Sequence, residues 1–219
     1  MNIITKIVYY INGTIYLERV LTLRDQNIDK QLVEYLKTYT QMEESKLTEV
    51  VSKIPIKTFS KGEILLHQGD KSEYCIYVIS GCIRQYRINE DGDEVTSEFY
   101  TEEQWINVFN ESVHDDSSKY TLSCVEDCIL IYSHATRKDD MFEQYGDLKD
   151  MVNLMLGEKI GEINETMFSF ASMSPEDRYK NLLERRPGLI DRVPQHQLAS
   201  YLGIKPESLS RIKKRIEKG

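Results

Sequence analysis

The chain has 219 residues, enough for one large domain or two modest ones, and its 40% hydrophobic and 29% charged residues are typical of a soluble globular protein. No apolar run approaches the ~20 residues of a transmembrane helix, and the apolar stretch at residues 7–11 is too short for a secretory signal. We therefore exclude a membrane protein and expect a cytoplasmic one. The net charge of −8 disfavours nucleic acid as a partner unless the charge is unevenly distributed along the chain.

Residues 1–27 form an N-terminal extension whose structure the sequence leaves open. Two runs of β-branched and aromatic residues flank Asn12-Gly13, the dipeptide most typical of a two-residue β-hairpin turn. A hairpin and a poorly ordered leader are both compatible with this pattern. No function follows from this stretch.

Residues 28–54 have the periodicity of two helices, with a break near Thr40. Each helix has one apolar face, and we expect these faces to cover the segment that follows. The faces consist of Leu32, Leu36 and Tyr39 on the first helix and of Leu47, Val50 and Val51 on the second.

Short β-rich runs alternate with Gly- or Asp-containing turns from Ile56 to Ser133. Strands of this length and spacing predict an antiparallel sandwich or barrel. In the run that begins at Tyr74, both alternating sets of side chains are apolar, so we expect this strand to be buried on both faces.

The cysteines and histidines show no metal-binding spacing, and we predict neither metal ligands nor a bound cofactor. Buried structural thiols are the expected state of the cysteines, although their spacing leaves an iron–sulfur or redox role open. The residues in question are Cys75, Cys82, Cys124 and Cys128, and His67, His114, His134 and His196.

Apolar residues recur at three- and four-residue intervals through residues 145–172, which predicts one long helix with a phase shift near Leu156. Such a stripe is typical of a coiled-coil seam with a stutter, and Gly157 and Gly161 would permit close approach of a second helix. We predict that this helix joins two chains, the alternative being that its stripe packs on the chain's own β segment. The predicted interface residues are Leu148, Val152, Met155, Leu156, Ile160, Ile163 and Met167.

The last segment, residues 173–219, begins with Ser174-Pro175, a helix cap followed by proline at the first helical position. Its end carries the apolar pattern of two short helices that cross at a tight turn, with Gly203 suited to the positive φ at the end of the first helix. The paired apolar positions are Leu198 and Leu202 on the first helix, and Leu209 and Ile212 on the second.

Polar side chains lie outside this apolar pattern, at or near the start of the second helix, and are of the types that contact DNA bases and phosphates. They are Lys205, Glu207, Ser208, Ser210, Arg211 and Lys214. From Ala171 onward there are 11 Lys or Arg and 6 Asp or Glu, a balance of +5, which leaves −13 for the preceding residues. This asymmetry favours a DNA-binding end on an acidic body over an ordinary hairpin with a solvated charged face.

The glycines at 62, 69, 81 and 92 resemble the pattern in the first half of a cyclic-nucleotide-binding jelly roll. That domain, followed by a long helix and a helix-turn-helix, is the layout of the Crp/Fnr family of bacterial transcription regulators, which the chain resembles over residues 28–218. The resemblance implies an α+β fold: an antiparallel β jelly roll or double-stranded β-helix (28–144), a dimerisation helix (145–172) and a C-terminal helix-turn-helix domain (173–219). It also implies a homodimer that binds double-stranded DNA, with RNA polymerase as a further partner.

Family members that hold cyclic AMP carry a Gly-Glu pair for the ribose and an Arg-Ser pair for the cyclic phosphate. These pairs correspond to Asn107-Val108 and Ser118-Lys119, and neither is present. Because the segment between them is acidic and lacks arginine, we expect cyclic AMP to be excluded from this candidate effector pocket. The sequence leaves open a vestigial pocket and one that takes a different, less anionic effector.

A sensory module whose helical tail binds a protein partner is the alternative to a DNA-binding regulator. An enzyme is not expected, because no nucleophile triad, phosphate-binding loop or paired acid site occurs in the sequence.

Overall fold

A computed structural model describes residues 4–11, 14–21, 26–71, 74–107, 117–134 and 143–217. Strands β1 (Ile4–Ile11) and β2 (Thr14–Leu21) open the chain and pair in an antiparallel ladder in which Ile11 faces Thr14. This register is that of a β-hairpin, one of the two alternatives that the sequence leaves open for this stretch, and residues 12 and 13 lie outside the described residues.

Helices α1 (Gln26–Lys37) and α2 (Glu44–Lys53) follow, separated by a break that includes Thr40, as predicted. They bury their apolar faces in one core, which also contains Tyr77 and Ile131 of the β segment. The α1 and α2 members of this core are Leu32, Val33, Leu36, Leu47, Val50 and Val51. The two helices therefore cover one face of the β segment.

The β-domain, residues 56–134, consists of two four-stranded antiparallel sheets with the strand orders β3-β10-β5-β8 and β4-β9-β6-β7. Apolar side chains such as Ile76, Val78, Ile83 and Leu122 fill the space between the sheets. The strands are β3 (Ile56–Phe59), β4 (Ile64–Leu66), β5 (Tyr74–Ser80), β6 (Ile83–Ile88), β7 (Glu94–Tyr100), β8 (Trp105–Asn107), β9 (Thr121–Cys124) and β10 (Cys128–His134). The architecture is the predicted jelly-roll-like arrangement of antiparallel sheets.

Strand β5 is buried on both faces, as its apolar sequence predicts. Ile76 and Val78 point between the two sheets, whereas Tyr77 points to the core under α1 and α2. The turn after β5 requires glycine, because Gly81 has φ +110° and a Cβ atom there would lie 2.6 Å from Cys128 Sγ.

Five helices complete the described chain: α3 (Asp147–Ser172), α4 (Pro175–Arg185), α5 (Leu189–Arg192), α6 (Gln195–Tyr201) and α7 (Pro206–Ile216). Helix α4 begins as predicted, since the hydroxyl of Ser174 accepts a hydrogen bond from the amide of Asp177 at 3.2 Å. Within the described ranges, no helix is both long and apolar enough to cross a membrane.

Candidate functional site

Helices α6 and α7 meet at a tight turn that the chain's own side chains and backbone hold in place. Leu198 and Ala199 of α6 and Leu209 of α7 are fully buried together. Gly203 ends the first helix with φ +69°, and the amide of Ile204 donates a hydrogen bond to the Ala199 carbonyl at 3.0 Å. The geometry of this hairpin thus follows the small and apolar residues in the sequence.

The polar residues predicted to contact DNA lie along α7, from its N-cap Lys205 to Lys214 in its last turn, and we call them the reading face. Lys205, Glu207, Ser208, Arg211 and Lys214 are all exposed. Ser210 is half-buried, and its hydroxyl donates a hydrogen bond to the Pro206 carbonyl at 3.1 Å. The structure therefore places five of the six side chains in solvent.

Arginines of the helices that precede the hairpin bind carboxylates of the β-domain. Arg192 donates to both oxygens of Glu102 at 2.8 Å and also bonds Glu126, whereas Arg186 bonds Glu98 at 3.0 Å. We call these pairs the arginine clamp. No local sequence pattern indicates this clamp, since each partner lies 66 to 90 residues away in the chain.

A single apolar core, the junction core, links the β-domain to the C-terminal helices, residues 175–217. Cys82, Phe99 and Val125 of the β-domain are buried in the same cluster as Leu198 and Tyr201 of α6. The rings of Phe99 and Tyr201 meet edge to face, with centroids 5.5 Å apart. Strand β7 and helix α6 are therefore packed directly together.

Arg178 ties the carbonyl ends of two helices to each other. Its guanidinium donates to the carbonyls of Phe170 and Met173, at the end of α3, and to that of Leu202, at the end of α6. It also lies over the Phe170 ring, 4.9 Å from the centroid. A cation at helix C-termini is favourable because it faces the negative end of each helix dipole.

Of the residues predicted to line the effector pocket, the structure describes Asn107, Ser118 and Lys119, whereas residues 108–116 lie outside the described part of the chain. The hydroxyl of Ser118 donates to the Tyr120 carbonyl at 2.7 Å, and its backbone pairs with Gly69 and Asp70. Lys119 is exposed, Asn107 ends strand β8 opposite Cys75, and Val108 lies outside the described residues. Ser118 therefore closes a loop, and its hydroxyl is already engaged within the chain.

The apolar stripe of α3 divides into two parts near Leu156. Leu148 and Met155 are buried in the core under α1 and α2, and Val152 packs against that core. This burial corrects the prediction that Leu148 and Met155 contact a second chain, because their side chains are covered within the chain, whereas the contact predicted for half-buried Val152 stays a prediction. The rest of the stripe is exposed, namely Leu156 at 37%, Ile160 at 60%, Ile163 at 49% and Met167 at 66%.

Three of the four cysteines are buried as free thiols, and Cys75 is half-buried. The thiol of Cys128 lies 3.6 Å from the Cys82 carbonyl oxygen, and burial raises the pKa of Cys82 to about 12. In the part of the chain that the structure describes, no group of three His, Cys, Asp or Glu side chains could hold a metal ion.

A cleft of about 390 Å³ lies between the second half of α3, helix α4 and the residues that join β7 to β8. Its walls carry as many carboxylates as cations, and most of them are already paired with one another. The cations are Lys159, Arg178, Arg185 and Arg186, and the carboxylates are Glu98, Glu102, Glu162 and Glu165. Because the positive and negative charges of the described lining balance, the cleft has no net positive charge that would attract an anionic ligand.

Comparison with known proteins identifies the class of the β-domain, since residues 56–145 match the cyclic nucleotide-binding domain family. The structure is similar to FixK2 from Bradyrhizobium japonicum, with 15% identity, a TM-score of 0.64, and coverage of 75% of this chain and 85% of that chain. It is also similar to CLP from Xanthomonas campestris, described as a c-di-GMP-responsive global regulator linking cell–cell signalling to virulence gene expression. That match has 15% identity, a TM-score of 0.63, and coverage of 80% of this chain and 92% of that chain.

A mutant of CooA from Carboxydothermus hydrogenoformans matches with 15% identity, a TM-score of 0.60, and coverage of 78% of this chain and 79% of that chain. These three proteins are regulators of the Crp/Fnr type, and the similarity shows that the chain shares their fold. Among curated protein sequences, none matches this chain.

Proposed function

We propose that this protein is a homodimeric, cytoplasmic DNA-binding transcription regulator of the Crp/Fnr type, and that it contacts RNA polymerase as a further partner. The observation that carries the proposal is the hairpin of α6 and α7, a compact helix-turn-helix whose reading face is exposed. Glu207 and Arg211 are four residues apart on α7 and so share one side of the helix. An arginine can bind a guanine edge with two hydrogen bonds, and a glutamate can accept one from cytosine.

The charge distribution supports DNA as the partner. The last turn of α7 is basic, with Lys213, Lys214 and Arg215, and the balance of charge from residue 171 onward is +5. Arg215 is held by Glu176 of α4 at 2.8 Å, which leaves Lys214 as the more available phosphate contact. A protein-binding tail would need no such concentration of positive charge.

Helix α3 supports dimerisation through its second half. Between Met151 and Ser172 its charged residues are Glu158, Lys159, Glu162 and Glu165, and at about 100° per residue they occupy the side that faces the chain's own body. The opposite side is uncharged and presents exposed Ile160 and Met167. Gly157 and Gly161 lie on that side with open space at the Cβ position, so a second helix could approach closely.

Selection of bound sites from random DNA with the purified protein tests this function. We expect a palindromic consensus with half-sites centred ~10 base pairs apart, because two recognition helices of a symmetric dimer lie about one DNA turn apart. Failure to enrich any sequence at low salt would contradict the proposal and favour a protein partner for the C-terminal helices.

A further inference from the structure

We propose that the β-domain holds the helix-turn-helix in its DNA-binding position by direct protein contacts, so that the chain binds its site without a small-molecule effector. The inference rests on the proposed function and adds to it how that function is regulated. Three features of the junction carry it: the arginine clamp, the junction core and the open reading face.

The arginine clamp joins the C-terminal helices to three separate parts of the β-domain. Arg192, the last residue of α5, binds Glu102 between β7 and β8 and Glu126 between β9 and β10. Arg186, just after α4, binds Glu98 of β7 and donates to the Phe99 carbonyl at 2.6 Å. Paired Arg–carboxylate bonds of this kind fix orientation as well as position, since the guanidinium fork is planar and rigid.

A second set of contacts joins α6 to strand β7. The hydroxyl of Ser200 accepts a hydrogen bond from the Thr96 amide at 2.9 Å and lies 3.2 Å from the Glu94 carbonyl, to which it can donate. Beside this pair, the junction core buries Phe99 and Tyr201 against each other. Polar and apolar contacts therefore oppose sliding of α6 along β7, and the hydroxyl of Ser200 is bonded within the protein.

The junction leaves the reading face uncovered. Docking uses residues of α4, α5 and α6, whereas Glu207, Arg211 and Lys214 of α7 are exposed. An autoinhibitory contact would cover these side chains. The arrangement instead fits a helix-turn-helix that is held ready for DNA.

The described residues of the candidate effector pocket fit a junction that needs no cyclic nucleotide. The hydroxyl of Ser118 is engaged by Tyr120, and the space between the sheets is filled by residues such as Ile76, Val78 and Leu130. Among the described residues, the serine that corresponds to the phosphate contact is therefore engaged within the chain, and the space between the sheets is occupied.

The first experiment measures the affinity of the protein for its selected DNA site after unfolding and refolding, which removes any retained small molecule. We expect the refolded protein to bind within about twofold of the native preparation, and added cyclic AMP to leave the affinity unchanged. A refolded protein that binds only when cyclic AMP is added would overturn the proposal.

The second experiment compares Arg192→Gln and Glu102→Gln, one from each side of the clamp, with the control Arg185→Gln. Arg185 adjoins Arg186 but is 61% exposed and lies 3.7 Å from Glu165, so its loss should leave docking intact. We expect the clamp variants to bind the palindrome at least tenfold more weakly and a single half-site unchanged, because only the palindrome requires two fixed helices. Tighter binding by the clamp variants, or an equal loss in the control, would show that the clamp does not hold the reading position.

Calorimetric unfolding separates this inference from the function on which it rests. The wild-type chain should unfold in one cooperative transition, and Arg192→Gln and Glu102→Gln should separate the C-terminal helices into an earlier one. If selection from random DNA enriches no sequence while the clamp variants still unfold in two separate transitions, that result would contradict the proposed DNA-binding function but would support the clamp. One unchanged transition in both clamp variants would refute the clamp itself.

Discussion

Gly81 combines a backbone conformation and a packing position that no other residue can satisfy. At φ +110°, an added Cβ atom would lie 2.6 Å from Cys128 Sγ and 2.8 Å from the Asp127 carbonyl oxygen. Gly81→Ala should therefore lower the free energy of unfolding by more than ~2 kcal/mol, since strain and overpacking add. Gly92 is the control, because its φ is +85° but its surroundings are open.

Urea denaturation measures the free energy of unfolding of both alanine variants. Gly92→Ala should cost only the backbone strain of about 1–2 kcal/mol. Equal losses in the two variants would mean that contact with Cys128 and Asp127 contributes nothing.

Arg211 and Lys214 should differ in what they contribute to DNA binding. Arg211→Ala should cost about 1–3 kcal/mol on the selected site and relax the preference at one base position. Lys214→Ala should weaken binding to all sequences alike and lower the salt slope by about one, because it removes a phosphate contact. Binding titrations on the selected and a scrambled site measure both, and unchanged sequence preference in Arg211→Ala would remove that residue from base contact.

Some features of single residues were predictable from the sequence, and others were not. The exposure of Arg211 and Lys214 was predictable, because the helical period placed Leu209 and Ile212 on the buried side of the same helix. The clamp was not predictable, because Arg192 carries no local sign that its partner is Glu102, 90 residues earlier. Such pairings follow from the assembled fold.

At the scale of the element, α3 changes its surroundings along its length. Leu148 is 2% exposed in the core under α1 and α2, whereas Ile160 is 60% exposed. Leu148→Ala should lower the free energy of unfolding by about 2–5 kcal/mol, as expected for a buried leucine. Ile160→Asp should leave the fold of each chain intact but dissociate the proposed dimer, because it places a charge in the proposed apolar interface.

Light scattering over a range of concentrations, together with thermal unfolding, distinguishes the two halves of α3. Glu165→Gln serves as a control for changed charge on the other side of the helix, where Glu165 lies 3.7 Å from Arg185. If Ile160→Asp remains dimeric with intact DNA binding, the second half of α3 is not the interface.

The apolar periodicity of α3 predicts which side of the helix is apolar. It does not predict whether the chain's own core or another surface covers that side. The sequence located the phase shift near Leu156, and the structure gives its reason. Before the shift, Met151 and Met155 turn toward the chain's own core, and after it Ile160 and Met167 turn away. By contrast, the antiparallel sheets were predictable as a class, because the glycines at 62, 69, 81 and 92 indicate turns, and all four have positive φ in the structure.

At the scale of the whole molecule, the junction between the β-domain and the C-terminal helices should depend on pH through Glu102. Partial burial acts to raise its pKa, but hydrogen bonds from Arg192 and the Gly81 amide lower it below the ordinary value of a glutamate. A carboxyl with a lowered pKa stabilises the docked state above its unfolded pKa of ~4.3, and this contribution is lost as the pH falls through the lower, docked value.

Thermal unfolding followed between pH 3 and pH 7 checks this expectation, with these pH values chosen to span roughly the range of glutamate titration. The wild-type junction should weaken toward the acid end, and Glu102→Gln should remove much of that change. A pH dependence that is identical in the two proteins would place its origin elsewhere in the chain.

Chemical labelling of the Cys82 thiol can report how often the junction opens. Its side chain is fully buried in the junction core, and burial raises its pKa to about 12, so a thiol reagent cannot react with it while the two parts are packed together. In a variant with the half-buried Cys75 replaced by serine, the rate of labelling at Cys82 should therefore count how often the C-terminal helices separate from the β-domain. Arg192→Gln should accelerate labelling at Cys82, and bound palindromic DNA should slow it. The labelling rate of one buried thiol therefore reports the rate at which the two parts of the chain open.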